Sequence, residues 1–448
     1  MERYSEYKDS GVKWLGEIPR HWKVEPFGRH FSFRKGLPIT KANLIDSGEA
    51  VISYGQIHAK ENLGTTMSES LVRYVSRDYL KSHPQCLLTK DDFVFADTSE
   101  DIGGSGNFVY NDFPANIFAG YHTIVAKQSG LYNPSYYAYL FKSECWRNHI
   151  RSLVNGVKVY SIGRKQLKSN FLLFPSYKEQ DAIVRYLDAA TSKIDKAIDM
   201  QQKMIDLLNE RKQIIIQNAV TKGLDENVEM KDSNCKFLGK IPSTWEVCKT
   251  LYVLSMPITD GPHTTPQLYD DGIPFVSAEA VSCGNGYIDF SHIRGYISDS
   301  FYNECCKKYI PQRDDIYMIK SGATTGKVAI VNTDVKFTIW SPLAVFRVNK
   351  KKVLPYFLYY SLQSSYYQLQ VQDKWSFGTQ QNIGMRMLEK LILCYPSIEE
   401  QAKIVAFIKK NVDNFDSAIS NSQRQIALLQ ERKQIIINEV VTGKVKVS

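Results

Sequence analysis

The sequence predicts an α+β protein in which two lobes of mixed strands and helices alternate with two long α-helices, as an internal twofold repeat. Three pairs of segments lead to this prediction. The segment KDSGVKWLGEIPRHWKV, residues 8–24, returns as KDSNCKFLGKIPSTWEV at 231–247, with ten of seventeen positions identical. FPSYKEQDAIVRYL at 174–187 returns as YPSIEEQAKIVAFI at 395–408, and LLNERKQIII at 207–216 returns as LLQERKQIII at 428–437. Repetition at half the chain length indicates duplicated domains rather than a solenoid.

The composition indicates a globular, mildly basic protein. A chain of 448 residues suggests two or three domains, and its 43% apolar content is ample for packed cores. The net charge of +9 favours a polyanionic partner such as nucleic acid, although many basic proteins bind none. The N-terminus has no signal pattern and no apolar run approaches a membrane span, so we expect a cytoplasmic protein without membrane contact.

The cysteines do not indicate a metal site. None of the eight forms a Cys-x-x-Cys pair, and none has a cysteine counterpart in the other copy of the repeat. A metal site or disulfide framework inherited with the repeat should appear twice. We therefore expect neither a metal nor a cofactor.

The repeated tails are predicted to be helices. Ser176 with Glu179 and Ser397 with Glu400 form capping-box patterns, each directly after a proline. Apolar or small residues then recur at steps of three and four, and polar Gln201 and Ser422 interrupt the two series. These positions are Ile183, Leu187, Ala190, Ile194, Ala197, Met204, Leu208 and Ile215 in the first copy, and Ile404, Ile408, Phe415, Ala418, Leu429 and Ile436 in the second. Two heptad-like seams on helices of about 45 residues, or ~65 Å, predict that the helices pack on each other.

The middle of each copy differs in sequence but has a similar pattern. DDFVFADT at 91–98 and DDIYMIKS at 314–321 alternate like strands. PSYYAYLFKS at 134–143 and PYFLYYSLQS at 355–364 are typical of helices with proline in the first turn. Gly-rich polar loops are predicted at matching positions, 98–107 and 320–327.

Three motifs resemble catalytic sites, and each lacks an essential part. The segment Gly322–Lys327 resembles a phosphate-binding loop, but it is one residue short and Val328 replaces the hydroxyl that would coordinate Mg²⁺. The segment Asn133–Tyr136 resembles the Asn-Pro-Pro-Tyr motif of amino-methyltransferases, but the second proline and a Gly-rich cofactor turn are missing.

The third motif is Glu-x-Lys at 210–212 and 431–433, which resembles the end of a nuclease motif. It lies on the predicted helices with no Asp on a nearby strand, so a helix-face ion pair is the simpler interpretation. No histidine in a predicted loop is matched across the copies. We therefore predict a protein without catalytic residues.

The chain resembles the specificity, or DNA-recognition, subunits of type I restriction–modification systems. The paired openings LGEIPRHWKV and LGKIPSTWEV, the helix starts FPSYKEQ and YPSIEEQ, and the segments NERKQIII and QERKQIII carry this resemblance. It spans essentially the whole chain, in the order lobe, helix, lobe, helix. Each motif occurs twice at the right spacing, which makes the set specific.

The resemblance implies a domain organisation and a set of partners. It implies a target-recognition domain at 1–175, a spacer helix at 176–223, a second recognition domain at 224–396, and a second spacer helix with a C-terminal tail at 397–448. The helices would form an antiparallel coiled coil, and each lobe would read one half of a bipartite site in double-stranded DNA. Two methyltransferase subunits would dock on the frame, motor and endonuclease subunits would join through them, and the subunit itself would be non-catalytic.

Elementary geometry agrees with these implications. Lobes at opposite ends of a ~65 Å rod could lie over base pairs more than one DNA turn apart, since a turn is about 34–36 Å. The frame would repeat because it docks the same partner twice.

The predicted DNA-contacting residues are polar or basic side chains in Gly-flanked or irregular stretches, at similar depth in each copy. Phosphate contacts position a protein and base contacts specify the sequence. In the first lobe the candidates are Arg34, Lys35, Gln56, Ser105, Asn107, Lys158, Tyr160, Arg164 and Lys165. In the second lobe they are His263, Thr264, Thr265, Lys320, Thr324, Thr325, Lys327, Lys374, Gln380, Gln381 and Asn382.

Two other classes of function remain open at this point. A duplicated coiled-coil adaptor would bind two copies of a protein without reading DNA sequence, and direct DNA-binding measurements separate it from a specificity subunit. The recognition half of a fused restriction enzyme is the other class, and the absence of methyltransferase and nuclease motifs argues against it.

Overall fold

The computed structural model describes residues 2–113, 116–130, 132–156, 158–377 and 380–447. The chain divides into two compact units. The first comprises Met1–Gln201 and Arg424–Ser448, and the second comprises Gln202–Gln423. Each unit therefore contains one lobe and a part of each long helix.

The N-terminal lobe, the part before the first long helix, is built mainly from short strands. Its helices are Phe27–His30, Tyr54–Ile57, Tyr79–Ser82, Pro134–Lys142, Glu144–Leu153 and Arg164–Ser169. Its strands are Tyr7–Asp9, Glu17–Pro19, Lys23–Pro26, Phe31–Lys35, Glu49–Ile52, Arg73–Val75, Phe93–Ala96, Thr98–Ser99, Phe108–Tyr110, Ile117–Ala119, Thr123–Gln128, Tyr160–Ser161 and Phe171–Phe174.

The C-terminal lobe follows the first long helix and precedes the second along the chain, and it has a similar set of elements. Its helices are Ala278–Cys283, Asp299–Cys306, Pro355–Gln363, Ser365–Asp373 and Met385–Lys390. Its strands are Met230–Asp232, Lys240–Pro242, Glu246–Lys249, Thr259–Asp260, Ile273–Val276, Tyr296–Ile297, Ile316–Ile319, Val328–Ile330, Thr338–Ile339, Leu343–Phe346, Ser376–Phe377, Gln381–Asn382 and Ile392–Tyr395.

The two lobes share one sheet topology although their sequences differ. Each has a four-stranded antiparallel sheet, in which the predicted strand after the Asp-Asp pair is an inner strand. In the N-terminal lobe the order is Phe31–Lys35, Thr123–Gln128, Phe93–Ala96, Phe108–Tyr110, and in the C-terminal lobe it is Thr259–Asp260, Leu343–Phe346, Ile316–Ile319, Val328–Ile330. A three-stranded sheet with one parallel pair accompanies it in both lobes.

Buried aromatic side chains fill the core of each lobe. In the N-terminal lobe, Phe27, Phe93, Phe141 and Trp146 lie in one cluster, with ring centroids 4.9–5.8 Å apart for the contacting pairs. Aromatic pairs at these separations add to the burial of apolar surface. The sheets are therefore held on a rigid base, and the loops at their ends carry the polar side chains.

The repeated motifs form the joint between each lobe and the long helix that follows it. The strand of the opening motif pairs with the strand that precedes the helix, Lys23–Pro26 with Phe171–Phe174 and Glu246–Lys249 with Ile392–Tyr395. The buried Trp22 donates its indole N–H to Glu179, at 3.2 Å. Trp245 does the same to Glu400 at 3.1 Å.

A buried glutamine completes the joint in both copies. Gln180 donates to the carbonyl of Pro175 and accepts the backbone N–H of Asn133. Gln401 makes the equivalent bonds, to Pro396 and from Leu354. In both copies, therefore, the Trp bonds to the Glu, and the Gln bonds to backbone groups of two neighbouring segments. The same three residue types recur because each copy of the joint makes the same hydrogen bonds.

The long helices run from Tyr177 to Lys222, 46 residues, and from Ile398 to Val441, 44 residues, as the sequence predicts. The first capping box forms in full, since the backbone N–H of Glu179 donates to Ser176 and that of Ser176 donates to Glu179. At the second helix the backbone N–H of Glu400 donates to Ser397, and the Glu400 carboxylate accepts from Trp245. Gly223 and Gly443 follow the helices with φ of 75° and 73°. Glycine adopts this left-handed conformation without strain, so it suits the end of a helix.

Burial in the second half of the first long helix differs from the predicted series of apolar positions. Met204 is 50% exposed, whereas its neighbour Ile205 is 7% exposed. Ile216 is fully buried in the core of the C-terminal lobe, and Ile215 is only partly buried. Positions 204 and 205 are both apolar, and so are 215 and 216, so periodicity could not choose between the members of each pair. In the structure the second residue of each pair is the buried one.

The Glu-x-Lys motifs also differ from their predicted helix-face pairing. Within the first unit, Lys433 of the second long helix pairs with Asp195 of the first at 2.6 Å. Within the second unit, Lys212 pairs with Asp416 at 2.6 Å. Each motif lysine thus pairs with an aspartate on the other long helix.

Replacing Glu179 by alanine is expected to lower the free energy of unfolding by about 2 kcal/mol. The change removes the capping box, which is worth about 0.5–2 kcal/mol, and leaves the indole N–H of Trp22 without a partner. Thermal or urea unfolding of Glu179→Ala measures the loss. Glu210→Ala, at an exposed position of the same helix, is the matched control and should change stability by less than ~0.5 kcal/mol. Equal unfolding midpoints for the two variants would contradict the role of the joint.

The same contact should weaken in acid. Burial alone would raise the pKa of Glu179, but hydrogen bonds from His21, Ser176 and Trp22 together lower it below its ordinary value of 4.5. A carboxyl group with a lowered folded-state pKa stabilises the fold above its ordinary pKa. This part of the stability is lost as the pH falls below about 4.5 and through the folded-state pKa.

Candidate nucleic-acid interface

In the N-terminal lobe, the structure joins the Gly-rich loop to the segment that contains Lys158 and Tyr160. The short strand Thr98–Ser99 pairs with Tyr160–Ser161, with Tyr160 opposite Ser99. His58 bridges two parts of the loop: its Nε2 lies 2.8 Å from the carbonyl oxygen of Thr98, and its Nδ1 lies 3.0 Å from Nδ2 of Asn107. Asn107, Tyr160 and the short helix that carries Gln56 therefore belong to one site, here called the N-terminal loop cluster.

Two predicted residues of this lobe form hydrogen bonds within the protein, and a third is buried. The Arg34 guanidinium donates to the carbonyl of Leu87 at 2.8 Å and to the buried carboxylate of Asp92 at 3.1 Å. Gln56 accepts the backbone N–H of Ser53 at 3.1 Å, and Ser105 is buried. Burial raises the pKa of Asp92, even though Arg34 lies beside it.

The arginine clamp occurs in both lobes, from different strands. Arg347 binds Asp315 at 2.7 Å and the carbonyl of Ile310 at 2.8 Å, as Arg34 binds Asp92 and Leu87. Arg34 lies on the first strand of its sheet, whereas Arg347 directly follows the strand Leu343–Phe346. In both lobes an arginine therefore binds the aspartate directly before the inner strand, although the two arginines come from different strands. This contact holds the start of the inner strand in place.

The remaining predicted residues of the N-terminal lobe are exposed and form no ion pair with another described residue. They are Lys35, Lys158, Arg164 and Lys165. Exposed cations of this kind suit contacts with phosphate groups.

In the C-terminal lobe, three basic side chains surround the carboxylate of Asp260. Asp260 is buried, and its oxygens lie 3.2 Å from Nε2 of His263 and 3.4 Å from Nζ of Lys320, while Lys308 also pairs with it. Thr264 lines a cavity beside this carboxylate. The structure therefore brings together His263 and Lys320, which are 57 positions apart in the sequence.

A second group in this lobe joins the Gly-rich loop to Gln381 and Asn382. The N–H of Gly322 donates to the carbonyl of Gln381 at 3.0 Å, and Ser321 forms a bridge with Asn382. The hydroxyl of Thr325 donates to the carbonyl of Gly322 at 2.7 Å. Lys374 pairs with the adjacent Asp373 at 2.9 Å. The predicted residues not named so far are partly or fully exposed: Thr265, Thr324, Lys327 and Gln380.

The two Gly-rich loops end in the same way. Gly106 and Gly326 have φ of 80° and 94°, in the left-handed region. The next residues, Asn107 and Lys327, each accept a backbone N–H from the central strand, at 3.0 and 2.9 Å. Asn107 and Lys327 therefore occupy equivalent positions on two loops of unrelated sequence.

The sequence did not single out the side chains that hold these loops. Arg147 and Arg151 of the helix Glu144–Leu153 both donate to the carbonyl of Gly103, at 2.7 and 3.1 Å. Burial lowers the pKa of Arg147 to about 10, so the arginine remains a cation beneath the loop at neutral pH. The spacing of four residues on one helix was the available signal, and His58 offered none beyond its place in a predicted loop.

Two further observations concern the kinds of site the described residues contain. Among them, no group of three or more His, Cys, Asp or Glu side chains is arranged to hold a metal ion. No helix in the described ranges combines the length and apolar character that a membrane span requires.

The sequence profile of a known family matches most of the chain. The profile of the type I restriction modification DNA specificity domain matches residues 19–204 and 264–430. The chain therefore belongs to this family and contains two copies of its domain. It is a DNA-binding specificity subunit of a type I restriction–modification system.

Individual relatives agree over nearly the whole chain. Two are from Methanocaldococcus jannaschii: the provisionally named MjaX specificity subunit is 24% identical over 98% of both chains. The type I restriction enzyme MjaVIII specificity subunit is 22% identical over 98% of this chain and 97% of its own. A chain from a structural study of complex assembly and conformational transition of the type I R-M system superimposes with a TM-score of 0.65 at 15% identity, covering 96% of this chain and 99% of that chain. That likeness shows the shared fold.

Proposed function

We propose that each lobe reads one half of a bipartite DNA site, and that the two long helices set the distance between the halves. The observation that carries this proposal is that both lobes have one sheet topology, and Gly-rich loops that end in the same way, on divergent sequences. Two lobes with the same fold but different surface side chains are suited to bind two different half-sites. We take the recognition domains as 1–175 and 224–396, and the helical segments as 176–223 and 397–448.

The proposed spacer is an antiparallel coiled coil with internal twofold symmetry. Asp195 with Lys433 and Lys212 with Asp416 are the same two positions of the repeat, exchanged between the helices. One antiparallel register accounts for both pairs, because residue numbers rise along one helix as they fall along the other. Ile194 in one unit and Ile205 in the other are both buried, as packing of the helices within each unit requires.

The residues predicted from the sequence remain the proposed DNA contacts. Exposed lysines and arginines, Lys35, Lys158, Arg164 and Lys165 among them, would bind phosphates, and the loop residues would approach base edges. Arg34 would act indirectly, because its guanidinium holds Asp92.

The chain would act as a non-catalytic scaffold for other subunits. We propose that two methyltransferase subunits dock on the repeated joints, and that motor and endonuclease subunits join through them. The support is the duplication of the Trp, Glu and Gln network, and a structural neighbour that comes from a study of type I complex assembly. A repeated frame offers the same surface twice.

The purified chain is expected to bind DNA and to modify none. Selection from a random duplex library should enrich two defined blocks separated by a spacer of fixed length and free sequence. Incubation with DNA, a methyl donor and Mg²⁺ should give neither methylation nor cleavage. An adaptor without DNA readout would enrich no sequence, and activity that persists through rigorous removal of contaminants would contradict a non-catalytic role.

A further inference from the structure

We propose that Asn107 reads an adenine in the half-site of the N-terminal lobe, and that His58 positions its side-chain amide for this contact. The inference rests on the proposed function and adds the base and the atoms that recognise it. It starts from the hydrogen bonds of a single imidazole ring.

The carbonyl oxygen of Thr98 fixes which nitrogen of His58 donates. Nε2 lies 2.8 Å from that oxygen, which can only accept, so Nε2 carries the proton. In a neutral imidazole the other nitrogen then accepts. Nδ1 therefore receives a hydrogen from Nδ2 of Asn107, 3.0 Å away.

This bond fixes the direction of the Asn107 amide. Its nitrogen faces His58, so Oδ1 faces away from the ring and one N–H hydrogen is left over. Oδ1 has no hydrogen-bond partner among the described residues, and it is not among the buried side-chain atoms that lack one. The amide thus has an accessible acceptor, and beside it a donor hydrogen for which no described residue is a partner.

An acceptor beside a donor is the pattern that adenine requires in the major groove. Asparagine binds adenine through two hydrogen bonds, accepting from N6 and donating to N7. Guanine presents two acceptors there, and cytosine presents one donor, so neither matches both atoms. The preference therefore depends on the amide being held in one orientation.

Backbone hydrogen bonds hold Asn107 in a fixed position. Its backbone N–H donates to the carbonyl of Gly104, and its carbonyl accepts from Ala96 of the central strand, both at 3.0 Å. Arg147 and Arg151 hold Gly103 from below and supply positive charge under the loop. Because the loop is hydrogen-bonded to both the sheet and the helix, it loses little further conformational entropy when it binds DNA.

The test compares base preferences of full-length variants in selection from a random duplex library. In Asn107→Ala, one adenine position in one block should lose its preference by about 5- to 150-fold, since a bidentate contact is worth ~1–3 kcal/mol of discrimination. All other positions, including the whole second block, should keep theirs. Asn116→Ala, at an exposed asparagine directly before the strand Ile117–Ala119, is the matched control and should change no position.

Two substitutions of His58 separate positioning from general support of the fold. Phenylalanine keeps a ring but neither nitrogen, so His58→Phe should relax the same adenine position. Glutamine retains one N–H donor and one oxygen acceptor, so His58→Gln should restore the preference. Equal profiles for these two variants would overturn the role of His58.

The outcomes distinguish this inference from the function on which it rests. If the wild-type chain enriches no two-block motif, the proposed function itself fails. If it does and Asn107→Ala keeps every preference, or loses a preference for a base other than adenine, only the reading by Asn107 is overturned.

Discussion

Replacing residues 27–170 with the corresponding segment of a relative is expected to change one half of the recognised DNA site and to leave the other half intact. The structure places the junctions at positions that the joint tolerates. Both paired strands of the joint, Lys23–Pro26 and Phe171–Phe174, stay in the chain, together with Trp22 and its bond to Glu179. The affinity for the original site should fall by about a hundredfold or more, because several base pairs become mismatched at about 1–3 kcal/mol each.

The exchanged segment must still fit the long helices of its own unit. Tyr136 donates to the carbonyl of Val441, Tyr139 donates to Asp188, and Asn133 donates to Asp181. These three residues should be kept in the chimera so that a failure to fold does not obscure the result. Sequence selection with the purified chimera measures both half-sites together.

The reciprocal exchange is the control. Residues 250–391 lie between the paired strands Glu246–Lys249 and Ile392–Tyr395, so their replacement should alter only the other block. If either exchange altered both blocks, or neither, the lobes would not be independent readers.

The sequence predicted structure well where a signal depends on neighbouring residues and occurs in both copies of the repeat. Capping boxes at Ser176 and Ser397 placed the starts of both long helices to within a residue, since caps depend on neighbours along the chain. The strand after Asp91-Asp92 was also predicted from a local signal, the residue pattern of the segment itself. The network of Trp22 with Glu179 was present in the sequence as paired motifs, but only the fold shows that the two residues meet.

Contacts between distant residues could not be predicted in this way. Arg34 was predicted as a DNA contact because it is basic and precedes a glycine loop, whereas its guanidinium is held by Asp92, 58 positions away. His58 and Asn107 are 49 positions apart, and no periodicity links them. Met204 and Ile205 are adjacent and both apolar, so the choice between them depended on packing rather than on pattern.

Lengthening both long helices by four residues is expected to add one or two base pairs to the unspecified spacer. The insertions belong after Gln201 and after Gln423, where the two units divide. Placed there, they leave Asp195 with Lys433 in one unit and Lys212 with Asp416 in the other. Four residues add about 6 Å and about 40° beyond a full turn. One base pair adds 3.4 Å along each strand and about 35°, so the DNA can follow with a small change in length and phase.

Altering one helix alone should be tolerated less well. An insertion after Gln201 only would move Lys212 out of line with Asp416 while Asp195 stays opposite Lys433, so one of the two ion pairs must break. Proline at Ile205 removes a backbone hydrogen bond at a buried seam position and should cost about 3 kcal/mol or more. Methylation mapping of each variant with its methyltransferase subunit reports spacer length and half-sites at once. An active double-insertion variant that keeps the original spacer would show that something other than these helices sets the distance between the half-sites.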